Sequence, residues 1–292
     1  DFDMYSAKEN GKNNVQVFTR ELNSQMTRKT QLEQALKKAL DEEQFALHYQ
    51  PQINLASGEV IGYEALLRWQ SPLGNVPPSE FIPLAEETGL IVPIGEWALR
   101  QACRDSKEFS ILGHADEKIS VNVSARQFKD PDFSEKVRLI FEEEQVDATR
   151  FEIEITESVM LDIEQSARII CELKAFGLRI AIDDFGAGYS SLNVVKNVEI
   201  DTLKIDKSLI DEVLINRRNL FILTAIIEVG KSLDARIVIE GIELEEQAEL
   251  LKPFEILGQG YLFSPPLPPG SLDSFLSEST AVTARTAPKL IQ

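Results

Sequence analysis

The chain has 292 residues, with 48 acidic and 30 basic side chains and a net charge of −18. This acidity argues against a protein that binds nucleic-acid polymers through a basic surface, and against a polybasic membrane anchor. Its two cysteines exclude a disulfide scaffold and a cysteine-rich zinc site, and its two histidines exclude an HExxH protease. No apolar run reaches the length of a membrane span, so we expect no membrane contact from this chain.

The first segment, residues 1–21, is polar and ends in a short apolar run. Leu32, Leu36 and Leu40 then recur every four residues, which predicts a helix over residues 22–43. A surface-packed helix and a signalling linker explain this spacing about equally well. Because the chain lacks both an initiator Met and a signal-peptide pattern, we expect a fragment of a longer protein.

From residue 44 to 277, apolar strands alternate with amphipathic helices. Strands are predicted at 45–53, 60–69, 118–124, 150–156, 178–184, 201–206, 236–241 and 257–263. Helices are predicted at 80–88, 93–109, 134–145, 158–176, 207–233 and 243–252. This alternation indicates an α/β fold, a (β/α)8 TIM-type barrel, with a doubly wound open sheet as the alternative. The stretch GAGYSS lacks the spacing of a dinucleotide site. The polar tail at 278–292 is expected to be disordered.

The predicted strands carry polar residues on one face, whereas buried parallel strands are usually apolar on both. In FEIEIT, for example, Glu152 and Glu154 alternate with apolar residues. If the apolar face meets the helices, the polar groups converge inside the barrel at the end where barrel enzymes keep their active sites. The converging set is five carboxylates and one amide: Glu64, Glu154, Asp183, Asp184, Glu240 and Asn122.

Five carboxylates in one place repel one another unless some are protonated or cations lie among them. An all-oxygen set with no thiolate and no nearby histidine suits hard cations such as Mg2+ or Mn2+. Because five carboxylates exceed what one Mg2+ usually takes, the sequence predicts two metals per site, an arrangement suited to phosphoryl chemistry.

Taken one at a time, these residues have simpler explanations. Glu152 or Glu157 alone would be a helix-facing ion-pair partner or a loop anchor, and Asp183 with Asp184 would be a helix N-cap pair. Arg68 alone would pair with an acidic neighbour. Polar residues at the ends of most of the predicted strands are nevertheless hard to explain by packing, so the coincidence favours a site.

A series of motifs runs through the barrel region. They are YQPQI (49–53), YEALLRW with its Glu64-Ala65-Leu66 signature, PSEFIPLAEETGLI (78–91), SVNVSARQ (120–127), EITES (154–158), IDDFGAGYSSL (182–192), LKIDKS (203–208), VIEGIE (238–243) and GQGYLFSPP (258–266). In order and spacing this series resembles the EAL-domain cyclic di-GMP phosphodiesterases over about residues 30–277. The resemblance implies a modified barrel whose first strand runs antiparallel to the others.

The resemblance also implies metal and catalytic roles for matching residues. The implied ligands of one metal are Glu64, Asn122, Glu154 and Asp183. Those of the second are Asp183 or Asp184, together with Glu240. Lys204 would position the attacking water, which makes Glu64, Lys204 and Glu240 the implied catalytic group.

Further roles concern the substrate and a loop. The implied substrate contacts are Gln50, Leu67, Arg68, Asp206 and Gln259. The loop from Asp184 to Leu192, together with the helix that follows it, would form a homodimer contact. Its control residues would be Glu157, Gly186 and Gly188.

The activity implied by the resemblance is hydrolysis of cyclic di-GMP to linear 5'-pGpG by a water activated by two metals, in the bacterial cytoplasm. Residues 1–21 resemble the end of a GGDEF domain, so the parent chain would be a GGDEF–EAL tandem protein with upstream GGDEF and sensor domains. Whether that parent is anchored in a membrane stays open.

Other functions remain as alternatives. A catalytically inactive cyclic di-GMP receptor would typically have lost the EAL glutamate, the paired aspartates or the lysine, all of which this sequence retains as Glu64, Asp183, Asp184 and Lys204. A scaffolding module would act through partner contacts alone. A glycoside hydrolase barrel would need one acid–base carboxylate pair, which leaves the lysine, the asparagine and the other carboxylates unexplained.

Overall fold

The structure is a computed structural model that describes residues 20–114, 116–157, 159, 163–186, 198–272 and 275. The chain divides into two compact units. One comprises residues 1–45 and 69–90, and the other comprises residues 46–68 and 91–292. Most of the predicted GGDEF remnant, Gly188 and the tail at 278–292 lie outside the described residues and stay predictions.

The larger unit contains the predicted barrel. The strands of the chain are β1 (Phe45–Asn54), β2 (Val60–Ser71), β3 (Gly74–Val76), β4 (Lys118–Val123), β5 (Phe151–Thr156), β6 (Arg179–Phe185), β7 (Thr202–Ile205), β8 (Arg236–Ile239) and β9 (Leu257–Gly258). Eight of them close in the order β1-β9-β8-β7-β6-β5-β4-β2, with β1 paired again to β2. From β2 through β9 the barrel pairings are parallel, whereas β1 runs antiparallel to both of its neighbours. The expected antiparallel first strand is therefore confirmed.

Most of the helices match the predicted periodicity. They are α1 (Arg20–Leu36), α2 (Pro78–Thr88), α3 (Ile91–Ile111), α4 (Ala125–Phe128), α5 (Phe133–Glu144), α6 (Ile163–Phe176), α7 (Arg217–Ser232) and α8 (Glu245–Leu251). The predicted helix over 207–233 is wrong in its first part, because Lys207–Leu209 forms a separate 3-10 turn. The α7 helix begins only after Asn216, whose side chain accepts a hydrogen bond from the Arg218 N–H and caps the helix.

Alternation along the strands separates an apolar outer face from a polar interior. On β5, Ile153 and Ile155 are fully buried in the hydrophobic core, while Glu152 and Glu154 are buried on the opposite face. The hydroxyl of Tyr49, a residue of β1, donates a 2.6 Å hydrogen bond to the Asp105 carboxylate of α3, and both side chains are buried. Burial raises the pKa of Asp105, although the hydrogen bond from Tyr49 opposes the shift.

In the smaller unit, α1 packs against α2. Leu32 and Leu84 are buried, and the Arg28 guanidinium pairs with the Glu80 carboxylate at 2.5 Å. The predicted linker helix over 22–43 is shorter than expected, because α1 ends at Leu36 and turns follow up to residue 43. Among the described residues, no helix combines the length and the apolarity needed to cross a membrane.

Candidate active site

Polar side chains from different strands meet around the ammonium group of Lys204. This residue lies on β7, inside the barrel, and its side chain is 1% exposed. Its Nζ atom lies near four carboxylates: 2.6 Å from Glu240, 2.7 Å from Glu154, 3.1 Å from Asp183 and 3.2 Å from Glu64. The structure thus brings together the lysine and four of the five carboxylates predicted to converge.

The ionisable groups of this cluster shift one another's pKa values. Burial disfavours the charged lysine, but the surrounding carboxylates outweigh it and raise the pKa of Lys204 well above its usual value. Burial and the nearby Glu64 carboxylate raise the pKa of Glu154 well above the ordinary range. Burial likewise raises the pKa of Glu240 to about 8, although Lys204 opposes the shift. One lysine therefore does not compensate the acids around it.

Glu64 is held as an anion by its own partners. The Gln259 amide donates to it at 2.5 Å and the Asn122 amide donates at 2.6 Å. Burial opposes its ionisation, but Lys204 and these two hydrogen bonds keep the pKa of Glu64 below its ordinary value. Gln259 also donates to Gln50 at 3.1 Å, so the two predicted substrate contacts form one amide network with the signature glutamate.

Asp183 and Asp184 are neighbours in sequence and yet serve the same site. Adjacent strand residues normally point to opposite faces. Here the pairing of β6 with β7 shifts register between Ile182 and Phe185, and Asp184 adopts a left-handed φ of 55°. Such a bulge redirects side chains, and it brings carboxylate oxygens of both aspartates and Glu240 within 4.8 Å of one another.

The carboxylates form two groups that fit divalent cations. Glu64, Glu154 and Asp183 make one group, and Asp183, Asp184 and Glu240 make the other, each with ligand atoms within 4.8 Å of one another. The Oε1 atom of Glu154 is buried without a hydrogen-bond partner among the described residues. An orphaned carboxylate oxygen in an acidic, all-oxygen cluster suits a hard cation. The residues present therefore fit the predicted metals.

A cavity of about 320 Å³ opens above these groups. Its wall is formed by Gln50, Glu64, Leu66, Asp183, Asp206, Lys207, Glu240, Gly241, Glu243, Gln259, Gly260 and Tyr261. Leu66 faces the cavity, whereas Leu67 packs against the hydrophobic core. The substrate contact of Leu67 stays a prediction, although strand alternation places Leu66 on the same face as Glu64.

The remaining predicted site residues lie in different surroundings. Asp206 lines the cavity, and its carboxylate also accepts the Ser208 N–H at 3.0 Å. Arg68 is half-buried and donates to the Leu67 carbonyl at 2.9 Å. Gly186 has a φ of 100°, which favours glycine. Most of the loop that Glu157 is predicted to control lies outside the described residues, so its role stays a prediction.

A second polar layer lies inside the barrel below the cavity. Glu152 is buried, and it accepts hydrogen bonds from Arg236 and Thr202 at 2.7 Å and from Ser120 at 3.2 Å. The helix-facing ion pair considered for Glu152 is therefore wrong, since its partners are interior residues of other strands. This layer is fully hydrogen-bonded at Glu152 and supports the cluster above it.

Sequence reasoning missed Lys207, Glu243 and Tyr261 on the cavity wall. The available signal was their place in the quoted motifs: Glu243 follows the predicted strand 236–241 in VIEGIE, and Tyr261 lies within GQGYLFSPP. The predicted strand over 257–263 is also too long, since β9 ends at Gly258. Gly260 then packs on the backbone of Ile242, where a Cβ atom would lie 2.1 Å from the carbonyl oxygen.

Known proteins resemble this chain over most of its length. The EAL domain family matches residues 33–266. Two curated relatives from Pseudomonas aeruginosa are MucR, a bifunctional diguanylate cyclase/cyclic di-GMP phosphodiesterase, at 41% identity, and NbdA, a cyclic di-GMP phosphodiesterase, at 38%. The matches cover 91% and 94% of this chain but only 39% and 35% of the relatives, so the chain spans little more than a third of their length. A solved structure of the PaMucR phosphodiesterase in complex with c-di-GMP aligns with a TM-score of 0.79 at 42% identity, and the match covers 83% of this chain and 99% of that one.

Proposed function

Because this chain belongs to the EAL domain family, we propose that it hydrolyses cyclic di-GMP to linear 5'-pGpG, with Mg2+ or Mn2+ as cofactor. The observation that carries the proposal is the pair of carboxylate groups that share Asp183 at the open end of the barrel. The names of MucR and NbdA, and the c-di-GMP complex of PaMucR, support the same substrate for this chain.

Divalent cations in these two groups would lower the pKa of a bound water and neutralise the scissile phosphate. Glu64, Glu154 and Asp183 would hold one cation together with Asn122, whose side-chain amide also donates to the Glu64 carboxylate. Asp184 and Glu240 would complete the second group. The chain thus supplies an acidic ligand set inside a buried, hydrogen-bonded shell.

Other side chains would place the reactants. Lys204 lies between the carboxylate groups and would orient the attacking water through its ammonium. Gln50 and Gln259, joined by a hydrogen bond, would contact the substrate from the cavity wall. Asp206, which lines the same cavity, would contact it as well. Half-buried Arg68 would contact a phosphate.

The decisive experiment is incubation of the purified chain with cyclic di-GMP and Mg2+, followed by chromatographic analysis for pGpG. We expect pGpG with Mg2+ or Mn2+ and none in excess EDTA. Calorimetry in Ca2+ should show cyclic di-GMP binding with little turnover, since the looser coordination of Ca2+ disturbs in-line geometry. Binding without pGpG under every metal condition would identify an inactive receptor instead, and full activity in EDTA would reject the metal mechanism.

We also propose that the chain forms a homodimer. Within residues 214–222, four apolar side chains are exposed, including Ile215 at 86% and Phe221 at 75%. Exposed apolar residues in such number commonly mark a protein interface. In the bacterial cytoplasm, the barrel would act within a longer protein with upstream GGDEF and sensor domains, which the cyclase in MucR's name supports.

A further inference from the structure

Among the described residues, the cavity wall carries one basic side chain and several acidic ones. Its carboxylates are Glu64, Asp183, Asp206, Glu240 and Glu243, and its ammonium group belongs to Lys207. Lys207 is exposed and forms no ion pair within the described parts of the chain. It differs in this respect from Lys204, whose ammonium is engaged by four carboxylates. Lys207 is therefore a cation available to a ligand in the cavity.

The backbone fixes the position from which Lys207 extends. The Asp206 carboxylate accepts the Ser208 N–H at 3.0 Å and so starts the 3-10 turn that carries Lys207. The side-chain stem of Lys207 crosses Gly241, where an added Cβ would lie 2.3 Å from the Lys207 Cβ. Gly241 also has a left-handed φ of 67°. The close approach explains the glycine and brings the β7 and β8 ends together on one wall.

Tyr261 is an exposed aromatic ring on the same wall. Its side chain is 68% exposed, yet its backbone is held on both sides. The Ile242 N–H donates to the Gln259 carbonyl at 3.0 Å, and the Leu262 N–H donates to the Ile242 carbonyl at 3.0 Å. A rigid backbone that presents an exposed ring beside a ligand cavity is a preorganised stacking surface.

A cyclic dinucleotide carries two phosphates and two bases. In the proposed function, the carboxylate groups and their cations receive the scissile phosphate. Those cations neutralise the second phosphate only if it lies close to them. The Asp206 and Glu243 carboxylates of the cavity wall would repel it. Lys207 offsets that repulsion, and Tyr261 offers an apolar face to a planar base.

Building on the proposed function, we propose that Lys207 and Tyr261 form a subsite that holds the half of cyclic di-GMP that is not cleaved. The Lys207 ammonium faces the second phosphate, and the Tyr261 ring stacks on a guanine base. Both contacts exist before and during the reaction, so they contribute to binding rather than to the chemical step.

The test compares Tyr261→Ala and Lys207→Gln with Tyr261→Phe and Lys207→Arg as conservative partners. Hydrolysis of cyclic di-GMP with Mg2+ gives KM and kcat, and calorimetry with cyclic di-GMP in Ca2+ gives Kd. We expect Tyr261→Ala to raise KM and Kd about 10-fold and Lys207→Gln to raise them about 5-fold, with kcat within about 2-fold of wild type. The conservative variants should stay close to wild type.

Lys207→Gln should also make KM less sensitive to ionic strength, since the screened charge is gone. Thermal unfolding of all four variants should match wild type, because both side chains are exposed. Unchanged KM and Kd in Tyr261→Ala and Lys207→Gln, or a fall in kcat alone, would overturn the subsite while leaving the phosphodiesterase in place. A wild-type chain that binds cyclic di-GMP but makes no pGpG would reject the proposed activity, and Kd would still decide the subsite.

Discussion

The Lys204 ammonium lies 2.7 Å from the Glu154 carboxylate at a point where the two side chains are 1% and 0% exposed. Removing one member of a buried ion pair leaves the other charge without compensation, which costs far more than the loss of a surface pair. Three further carboxylates depend on the same ammonium. Lys204 is therefore expected to matter for folding as well as for catalysis.

We predict that Lys204→Met lowers the free energy of unfolding by about 3 kcal/mol in EDTA, because the carboxylates lose their common counter-ion. Mg2+ should restore part of this loss, since cations that bind the folded state stabilise it. Urea unfolding with and without Mg2+ measures both effects. The matched control is Lys252→Met, which removes an exposed pair with Glu249 and should change stability by less than about 0.5 kcal/mol.

The same variant should lower kcat about 100-fold while KM changes little, because Lys204 is assigned to the attacking water. Steady-state kinetics in saturating Mg2+ decides this. A normal kcat with a raised KM would move Lys204 from the chemistry to substrate binding.

Glu64→Gln should abolish measurable hydrolysis, with a loss of at least about 100-fold in kcat, because the amide removes a negative ligand from the first carboxylate group. Calorimetry should show weaker Mn2+ binding as well. Glu243→Gln is the control, since Glu243 lines the same cavity outside both ligand groups. Near-normal turnover in Glu64→Gln would mean that the metal site is assigned to the wrong residues.

The buried pair of Tyr49 and Asp105 predicts a pH effect on stability that does not involve the cavity. Because burial raises the folded-state pKa of Asp105 above its ordinary 3.8, its contribution is fully present below that pH and is lost as pH rises through the raised value. Relative to Asp105→Asn, wild type should therefore lose stability as pH rises above about 4. Urea unfolding across this range tests it, with exposed Asp132→Asn as control; parallel curves for wild type and Asp105→Asn would contradict the prediction.

Dimerisation should depend on the exposed apolar side chains before and on α7. Phe221→Asp should shift light scattering from dimer to monomer and leave the melting temperature unchanged, because the ring is 75% exposed. Leu139→Asp, at another exposed apolar position, should keep the dimer. We expect dimerisation to raise the activity per mole through the loop from Asp184 to Leu192. Constant activity per mole across the monomer–dimer transition, with Glu157→Ala behaving as wild type, would contradict this.

The barrel and most of its cluster could be read from the sequence, because strand period two determines which side chains face inward. Glu154 and Lys204 follow from that rule alone. Leu67 came from the family resemblance and not from this rule, which places Leu66 on the same face as Glu64. Alternation predicts the face of β5 on which Glu152 lies. It does not predict the position of Glu152 along the barrel axis or its partner Arg236, which lies 84 residues away in sequence.

Backbone irregularities were beyond the pattern. The break between the Lys207–Leu209 turn and α7 depends on caps from Asp206 and Asn216, which compete with an apolar periodicity that continues through them. The early end of β9 depends on the contact of Gly260 with the backbone of Ile242, a tertiary feature. The wall residues Lys207 and Tyr261 arise at these two irregular points.

The bulge in β6 determines how many carboxylates of this strand face the cavity. One residue in a left-handed conformation, Asp184, is what allows two successive aspartates to meet Glu240. Shortening this strand by one residue would restore regular alternation and turn one of the two carboxylates away from the cavity, although every other ligand would be retained. In the proposed two-cation mechanism, deleting one residue of β6 would therefore weaken one carboxylate group and leave the other residues of the site in place.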